Sequence, residues 1–314
     1  MIRAIAVIAE KLVNLRQKSR IMRGYFELMR PGQWVKNVFV YLPMFFGGEL
    51  LDVRSWIAST VAFASFCLLS SAIYCLNDIR DAESDRKHPR KKHRPVAAGR
   101  VSVKGAYTLM VILMAAAFGM LGMLRPEEFH AAAAIELAYL LLNLAYCFYL
   151  KRLAIIDVFT LAIGFVLRLA DGGAVCDIEL SPWIVCLTFL LALFLAFAKR
   201  RDDVAAMEEE GTVRRQSIVG YNLDFINITL AIIAAVTTVC YLLYTVSPDT
   251  TGRIGSKYVY ITFIFVLAGI LRYLMVTLTG GRSDSPTALL YKDRFVQACI
   301  AGWIISFAFL IYHG

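Results

Sequence analysis

The stretch Asn77-Asp78-Ile79-Arg80-Asp81-Ala82-Glu83-Ser84-Asp85 follows a long apolar run and precedes a run of basic residues. On an α-helix Asp78, Asp81 and Asp85 fall at positions i, i+3 and i+7, so their carboxylates share one face. Like charges repel at that spacing, and Mg²⁺ is a natural counter-ion because it takes oxygen ligands from a few carboxylates and from substrate phosphates. A solvated helix segment, with acids favoured by the helix dipole, is the alternative interpretation.

The apolar blocks on both sides of this stretch indicate an all-α polytopic membrane protein. The chain has 314 residues, of which 59% are hydrophobic, and its mean hydropathy is +0.63. The blocks are about 20 residues long, which is the length that a helix needs to cross a bilayer. We expect nine transmembrane helices, near residues 34–51, 55–76, 104–124, 129–150, 153–175, 181–198, 222–246, 256–278 and 294–312.

The basic residues between these blocks predict the orientation. Most loop Lys and Arg lie before residue 34 and at 77–103, 151–152, 199–221 and 279–293. The positive-inside rule therefore places the amino terminus and the acidic stretch in the cytoplasm, with the carboxyl terminus outside the inner or plasma membrane. Residues 1–30 are predicted to form a basic amphipathic cytoplasmic segment, and residues 31–314 a single transmembrane domain.

Composition also excludes several classes of function. The net charge of +9 lies in the membrane loops, where it serves topology and anionic groups, which argues against nucleic acid as a partner. The seven cysteines include no CxxC pair or Cys/His cluster, so the sequence supports neither a disulfide framework nor a zinc site.

Two of the predicted spans carry polar side chains at helical spacing. The fifth has Asp157, Gly164, Arg168 and Asp171, and the fourth has Glu136, Tyr139, Asn143 and Tyr146. Lipid does not tolerate such faces, so both should point inward and line a central polar cavity open to the cytoplasm. Arg168 either binds substrate or forms an internal ion pair, for which Asp171 is the candidate partner.

A second charged stretch, Lys199-Arg200-Arg201-Asp202-Asp203, follows the sixth span as the first follows the second span. This echo hints at two pseudo-symmetric halves, although Lys199 and Asp203 also fit a helix-surface pair at i, i+4. Carboxylates that hold a metal, beside Lys and Arg, are what a diphosphate needs, because the metal and the cations together neutralise its oxygens.

The pattern Asn77-Asp78-x-x-Asp81-x-x-x-Asp85, followed by Arg94-Pro95-x-x-x-Gly99, resembles the first signature of the UbiA superfamily of intramembrane prenyltransferases. Tyr146-x-x-x-Leu150-Lys151, Asp157 and Gly164-Phe165-x-x-Arg168 are also similar to that family. The resemblance extends from about Arg30 to the last span. It implies nine transmembrane helices around a central cavity, cytoplasmic helical caps and a magnesium-bound diphosphate.

The usual second aspartate-rich motif of the family is replaced here by Lys199-Arg200-Arg201-Asp202-Asp203. With Arg30-Pro31-x-Gln33-Trp34-x-Lys36-Asn37 and Ser285-Pro286-Thr287, this change resembles the phosphoribosyltransferase branch of the superfamily. That branch moves 5-phosphoribose from phosphoribosyl diphosphate to a polyprenyl phosphate lipid. Lys and Arg in place of carboxylates would accommodate the additional 5-phosphate of such a donor.

The resemblance implies the following roles. Asp78, Asp81 and Asp85 would be the catalytic Mg²⁺ ligands. Substrate would be bound by Lys36, Asn37, Asn77, Arg94, Lys151, Asp157, Arg168, Lys199, Arg200, Arg201 and Asp203. Within that set Lys36, Arg94 and Lys151 would contact phosphate oxygens, and Lys199–Arg201 would hold the sugar phosphate or the acceptor phosphate. Asp157 and Asp203 would orient ribose hydroxyls or a second metal.

Two other functions stay open at this point. Prenyl transfer from a prenyl diphosphate to an aromatic or other acceptor keeps the fold and changes the donor. A transporter of an anionic lipid would use Arg168 and Asp171 along its pathway, but the sequence lacks convincing inverted repeats. The oligomeric state is also open, a homo-oligomer included.

Overall fold

The computed structural model describes residues 21–87, 91–210, 220–279, 289 and 292–313. The described chain is helical almost throughout. Its α-helices are α1 (21–29), α2 (Leu42–Phe46), α3 (Val53–Lys87), α4 (Val103–Leu121), α5 (Pro126–Phe148), α6 (Ile156–Cys176), α7 (Pro182–Glu210), α8 (Leu223–Val246), α9 (Pro248–Ile254), α10 (Phe263–Thr279) and α11 (Arg294–His313). Short 3₁₀ helices cover Pro31–Tyr41, Lys91–His93, Leu150–Arg152 and Lys257–Thr262.

Eight helices in the described part of the chain are long and apolar enough to cross a membrane. They correspond to α3, α4, α5, α6, α7, α8, α10 with its preceding 3₁₀ turn, and α11. The predicted first span, 34–51, differs from the others. It is a 3₁₀ helix, Pro31–Tyr41, followed by the five-residue helix α2, which Gly47 ends. We call residues 31–46 the broken segment.

The broken segment packs against α3 and α6. Close approach to α6 depends on Gly172, because a Cβ atom there would lie 1.9 Å from the carbonyl oxygen of Val40. On the α3 side the indole Nε1 of Trp34 donates to Ser71 Oγ at 3.0 Å. These contacts place Lys36 and Asn37 between the two helices that carry the first predicted acids and Arg168.

Helix length explains where the charged stretches lie. Helix α3 has 35 residues and α7 has 29, so at 1.5 Å per residue they extend about 52 Å and 43 Å. Both exceed the roughly 30 Å thickness of a hydrocarbon core. Their carboxyl-terminal turns, which carry Asp78–Asp85 and Lys199–Asp203, therefore extend past the apolar part of the bundle at the same end.

Part of the predicted amino-terminal segment can be described. Residues 21–29 form α1, which packs on the segment after α3: Arg100 pairs with Glu27 at 2.5 Å, and Gly24 lies against Val101. Residues 1–20, Arg90 of the basic run and Ser285–Thr287 of the resemblance lie outside the described residues.

Candidate active site

Asp78, Asp81 and Asp85, near the end of α3, are each paired with basic side chains from other segments. Asp78 and Asp85 are 1% and 3% exposed. Arg94 bridges them, since its Nη1 lies 2.7 Å from Asp85 Oδ2 and 3.5 Å from Asp78 Oδ1. The predicted common face is therefore confirmed for these two carboxylates, which are close enough to share one guanidinium group.

Two further cations complete this group. Arg30, which precedes the broken segment with a left-handed backbone (φ 53°), pairs with Asp78 and lies over the ring of Tyr74. Lys151 Nζ lies 2.5 Å from Asp81 Oδ1. Asp78, Asp81 and Asp85 together with Arg30, Arg94 and Lys151 are called the α3 cluster below. Its three negative and three positive charges balance.

The α3 cluster fits a magnesium–diphosphate in part of its chemistry. Asp78 Oδ2 is buried and has no hydrogen-bond partner, so one carboxylate oxygen is left for a ligand. Among the described residues, however, no three acidic, His or Cys side chains are close enough to hold a metal by themselves. Mg²⁺ usually takes one or two carboxylates, with substrate phosphates completing its shell, and Asp78 with Asp85 fits that mode of binding.

A second group of charges joins α6 to α7. Arg200 Nε lies 2.7 Å from Asp157 Oδ2, and its Nη1 lies 3.3 Å from Asp203 Oδ2. Arg200 and Asp157 are 1% and 0% exposed. Tyr146 of the fourth-span stripe is near Arg200. We call Asp157, Arg200 and Asp203 the α7 cluster.

The structure does not bring the three consecutive basic residues of α7 together as one anion site. Successive residues of a helix point about 100° apart. Lys199 is exposed, whereas Arg200 faces Asp157. Arg201 donates to Asn227 Oδ1 at 2.9 Å and to the carbonyl of Leu278 at 3.3 Å, so it connects α7 to α8 and α10.

Arg168 lies deeper in the bundle and is held by neutral acceptors. It donates to Asn37 Oδ1 (2.7 Å), Tyr139 Oη (2.8 Å) and the carbonyl of Gly164 (2.6 Å). Of the two roles considered for Arg168, the ion pair with Asp171 is not formed, because neither carboxylate oxygen of Asp171 has a hydrogen-bond partner. Helical side chains lean toward the amino terminus, so Arg168 extends toward Gly164 and away from Asp171.

Asn37 holds the side chain of Arg168 in place. Its Nδ2 donates to Cys67 Sγ at 3.1 Å and to Ser70 Oγ at 3.4 Å, while its Oδ1 accepts from the arginine. Every polar atom of this amide is thus engaged with the protein. In the structure Asn37 therefore orients Arg168, and its predicted contact with substrate stays a prediction.

Lys36, like Arg168, has no carboxylate partner among the described residues. It lies within electrostatic range of Arg168 and Arg30. No described residue supplies a carboxylate or a hydrogen-bond acceptor to its ammonium group. Asn77, the remaining predicted site residue, is half-buried on α3 and accepts a long contact from Cys147 Sγ at 3.9 Å. A cationic layer, Lys36 with Arg168, therefore lies beside the α3 cluster.

Three acids of the two clusters are covered by their ion-pair partners. Asp78, Asp85 and Asp157 are all nearly inaccessible. Two cavities of about 300 Å³ and 700 Å³ lie elsewhere, one at the carboxyl end of α6 around Asp177 and one along α4 at Lys104–Ile112. The predicted polar lining is thus present around these buried acids.

Sequence reasoning missed two residues of this site. Arg30 is part of a quoted motif, but the sequence assigns it no role. The signal that would have found it is its position immediately before the Pro31-Gly32 break, where its backbone is left-handed and its side chain reaches Asp78 on α3. Tyr221 had no signal, since it lies 64 residues beyond Asp157 and contacts that part of the site only in the fold.

Comparison with known proteins identifies the family. A sequence model described as the UbiA prenyltransferase family matches residues 38–219. The chain belongs to the UbiA prenyltransferase family. As a UbiA-family protein it is an integral membrane transferase, with eight candidate spans in its described part.

Two curated UbiA-family relatives match over nearly the whole chain. A decaprenyl-phosphate phosphoribosyltransferase from Mycolicibacterium smegmatis is 33% identical over 304 residues, covering 93% of both chains. One from Corynebacterium glutamicum is 32% identical over 291 residues, covering 92% of this chain and 87% of that protein. A UbiA homolog from Archaeoglobus fulgidus, solved with GPP and Mg²⁺, has a TM-score of 0.69 at 18% identity, covering 92% of this chain and 99% of that one, which shows a shared fold.

Proposed function

We propose that the protein transfers 5-phosphoribose from phosphoribosyl diphosphate to a polyprenyl phosphate and releases diphosphate. The observation that carries the proposal is the similarity to decaprenyl-phosphate phosphoribosyltransferases along 93% of both chains. The stretch Lys199-Arg200-Arg201-Asp202-Asp203 supports it, because it has basic residues where the prenyltransferase pattern has carboxylates, and a donor with an additional phosphate needs more positive charge in the site.

In this proposal the α3 cluster receives the diphosphate. Asp78 and Asp85 would hold Mg²⁺, with Asp81 and Asn77 beside them on α3, and the ion would neutralise charge on the diphosphate leaving group. Arg94 and Lys151 contact these carboxylates at 2.7 Å and 2.5 Å. They are therefore placed to contact phosphate oxygens once the carboxylates have another cationic partner.

The remaining parts of the donor would lie between the two clusters. Lys36 and Arg168 supply positive charge for a phosphate, and Asn37 keeps the guanidinium plane fixed. Asp157 and Asp203 carry acceptor oxygens for ribose hydroxyls. We assign Arg201 to helix packing, because its guanidinium group is already bonded to Asn227 and the Leu278 carbonyl.

The proposed reaction requires no strong general acid or general base from the protein. The bond between ribose C1 and the diphosphate oxygen breaks, and a bond forms between C1 and an oxygen of the polyprenyl phosphate, which is already anionic. The electron pair leaves with the diphosphate. The protein contributes position and charge stabilisation, and the burial of Asp78, Asp85 and Asp157 keeps competing water away.

We propose that the broken segment is a ninth crossing. Eleven 3₁₀ residues followed by five α-helical residues span about 30 Å at 2.0 and 1.5 Å per residue, which equals the thickness of a hydrocarbon core. Nine crossings place the amino terminus and both clusters in the cytoplasm and the carboxyl terminus outside, in agreement with loop charge. Cysteine labelling of tagged termini in sealed vesicles tests this topology.

The function is tested with the purified protein in detergent or nanodiscs. Labelled phosphoribosyl diphosphate and a polyprenyl phosphate are supplied with Mg²⁺, and a labelled lipid product that disappears with EDTA is expected. A competition with geranyl diphosphate and an aromatic acceptor separates the proposal from prenyl transfer. A prenylated product without a phosphoribosylated lipid would reject the proposal in favour of prenyl transfer.

A further inference from the structure

A strained turn lies between the two clusters, at Ile155. Its backbone angles are φ 68° and ψ −50°, and the N–H of Ile156 donates to the carbonyl of Ala154 at 2.8 Å. This is a γ-turn with a positive central φ, which is the rare and strained form. A β-branched residue at positive φ is an outlier that persists only where its surroundings impose it.

The side chain that holds this turn is Tyr221. The N–H of Ile155 donates to the Tyr221 hydroxyl at 2.5 Å. Next to it Gly220 lies against Ala154, where an added Cβ would be 3.5 Å from Ala154 Cβ. The N–H of Ile155 points away from the helix that starts after it, and the hydroxyl satisfies this otherwise orphaned donor.

Tyr221 is itself well fixed. It is 6% exposed, and its ring stacks on Phe225 with centroids 5.8 Å apart and contacts Phe197 at 6.1 Å. Burial raises the pKa of its hydroxyl, so the proton stays on the oxygen and remains available to donate. The hydroxyl also lies close enough to the Asp157 carboxylate to interact with it electrostatically. One hydroxyl thus joins the turn to the α7 cluster.

The turn also lies between a residue of the α3 cluster and a residue of the α7 cluster. Lys151 precedes Ile155 by four residues and reaches Asp81, and Asp157 follows it by two residues and reaches Arg200. The five residues between Lys151 and Asp157, with Ile155 among them, therefore connect the two clusters along the chain. A change of φ at Ile155 would move Lys151 and Asp157 relative to each other.

We infer that Tyr221 is a positioning residue that holds the Ile155 turn and thereby sets the separation of the two clusters for a donor that spans them. The inference rests on the proposed function for the identity of that donor. Tyr221 touches no reacting atom in this assignment. Its effect passes through the backbone at Ile155 and through the Asp157 carboxylate.

The test compares Tyr221→Phe, Tyr258→Phe and the double variant Tyr221→Phe/Ile155→Gly in the full-length protein. Tyr258 is an exposed tyrosine and serves as the matched control. We expect Tyr221→Phe to raise the donor KM by about tenfold, as for loss of one hydrogen bond to a buried group, with the acceptor KM unchanged. Glycine adopts positive φ without support, so the double variant should recover most of that loss.

A second measurement keeps the inference independent of the reaction. Binding of magnesium diphosphate alone, followed by calorimetry, should weaken in Tyr221→Phe and return in the double variant, whatever lipid product the enzyme makes. Hydrogen exchange over residues 150–157 should accelerate in Tyr221→Phe. Unchanged diphosphate affinity and unchanged exchange would overturn the inference, and so would a double variant that shows no recovery. Absence of a phosphoribosylated lipid in the wild type would reject the proposed function alone.

Discussion

The α3 cluster and the α7 cluster both pair Asp with basic side chains, but they differ in how much of those side chains is exposed to solvent. In the α3 cluster the side chains of Arg94, Lys151 and Asp81 are 25%, 20% and 28% exposed. In the α7 cluster Arg200 and Asp157 are 1% and 0% exposed. The α3 cluster has three cations for its three acids, whereas in the α7 cluster the single cation, Arg200, contacts two acids.

This difference in exposure indicates that the α3 cluster can exchange an ion-pair partner for a ligand, whereas the α7 cluster cannot. Partly exposed ion pairs contribute little net stability, so a ligand can replace one partner at small cost. A fully buried pair is costly to break, because the remaining charge is left without solvent or partner. We therefore assign binding and release of the diphosphate to the α3 cluster and a fixed wall of the site to the α7 cluster.

The largest expected effect is on the buried pair. Arg200→Met removes the guanidinium group that is paired with buried Asp157 and should lower the free energy of unfolding by roughly 3–5 kcal/mol. Thermal unfolding of the detergent-solubilised protein measures this loss. In Arg200→Met/Asp157→Asn both charges are gone, so part of the stability should return. If the single variant unfolds like the wild type, the α7 cluster is not a fixed wall.

Asp78→Asn is expected to have the next largest effect, and on activity. Asp78 has the buried carboxylate oxygen that is left for a ligand, and loss of one such charge-stabilising group costs about 10²–10³ in rate. Initial rates across a range of Mg²⁺ concentrations measure it. Glu83→Gln, an exposed acid on the same helix, is the control and should keep wild-type activity. Equal rates for the two variants would contradict the assignment of the α3 cluster.

Lys151→Met should have an intermediate effect, because its partner Asp81 is partly exposed. We expect the donor KM to rise by about tenfold, with a change in the free energy of unfolding below about 1 kcal/mol. Arg152→Met, the exposed neighbour in the same 3₁₀ turn, is the matched control. A large loss of stability in Lys151→Met would show that this pair is structural like Arg200–Asp157.

The α3 cluster could be predicted from sequence because its acids lie on one helix. Spacing alone brings Asp78 and Asp85 to one face, and their common contact with Arg94 confirms it. The inward faces of α5 and α6 followed from the same rule, since Glu136, Tyr139 and Arg168 are buried. Apolar block length likewise predicted eight of the nine proposed spans.

Other features depend on packing that spacing does not encode. The broken segment has an apolar composition like a transmembrane helix, but its Pro31 and Pro43 and its fit against Gly172 give a 3₁₀ path. Arg168 was near enough in sequence to pair with Asp171, yet Asn37 and Tyr139 from other segments provide better-placed acceptors. The adjacent basic residues on α7 likewise form one cluster in the sequence, but on a helix their side chains point in different directions.

Arg201→Met should have the smallest effect on activity and is the sharpest test of that separation. The residue is next to Arg200 in sequence, but its guanidinium group contacts Asn227 and the carbonyl of Leu278. Loss of these two hydrogen bonds should cost about 1–2 kcal/mol of stability and change the donor KM by less than about twofold. Arg201→Lys keeps the charge, so it should behave as Arg201→Met does if charge is irrelevant. A tenfold rise in donor KM that Arg201→Lys prevents would instead make Arg201 a substrate cation and extend the α7 cluster toward α8.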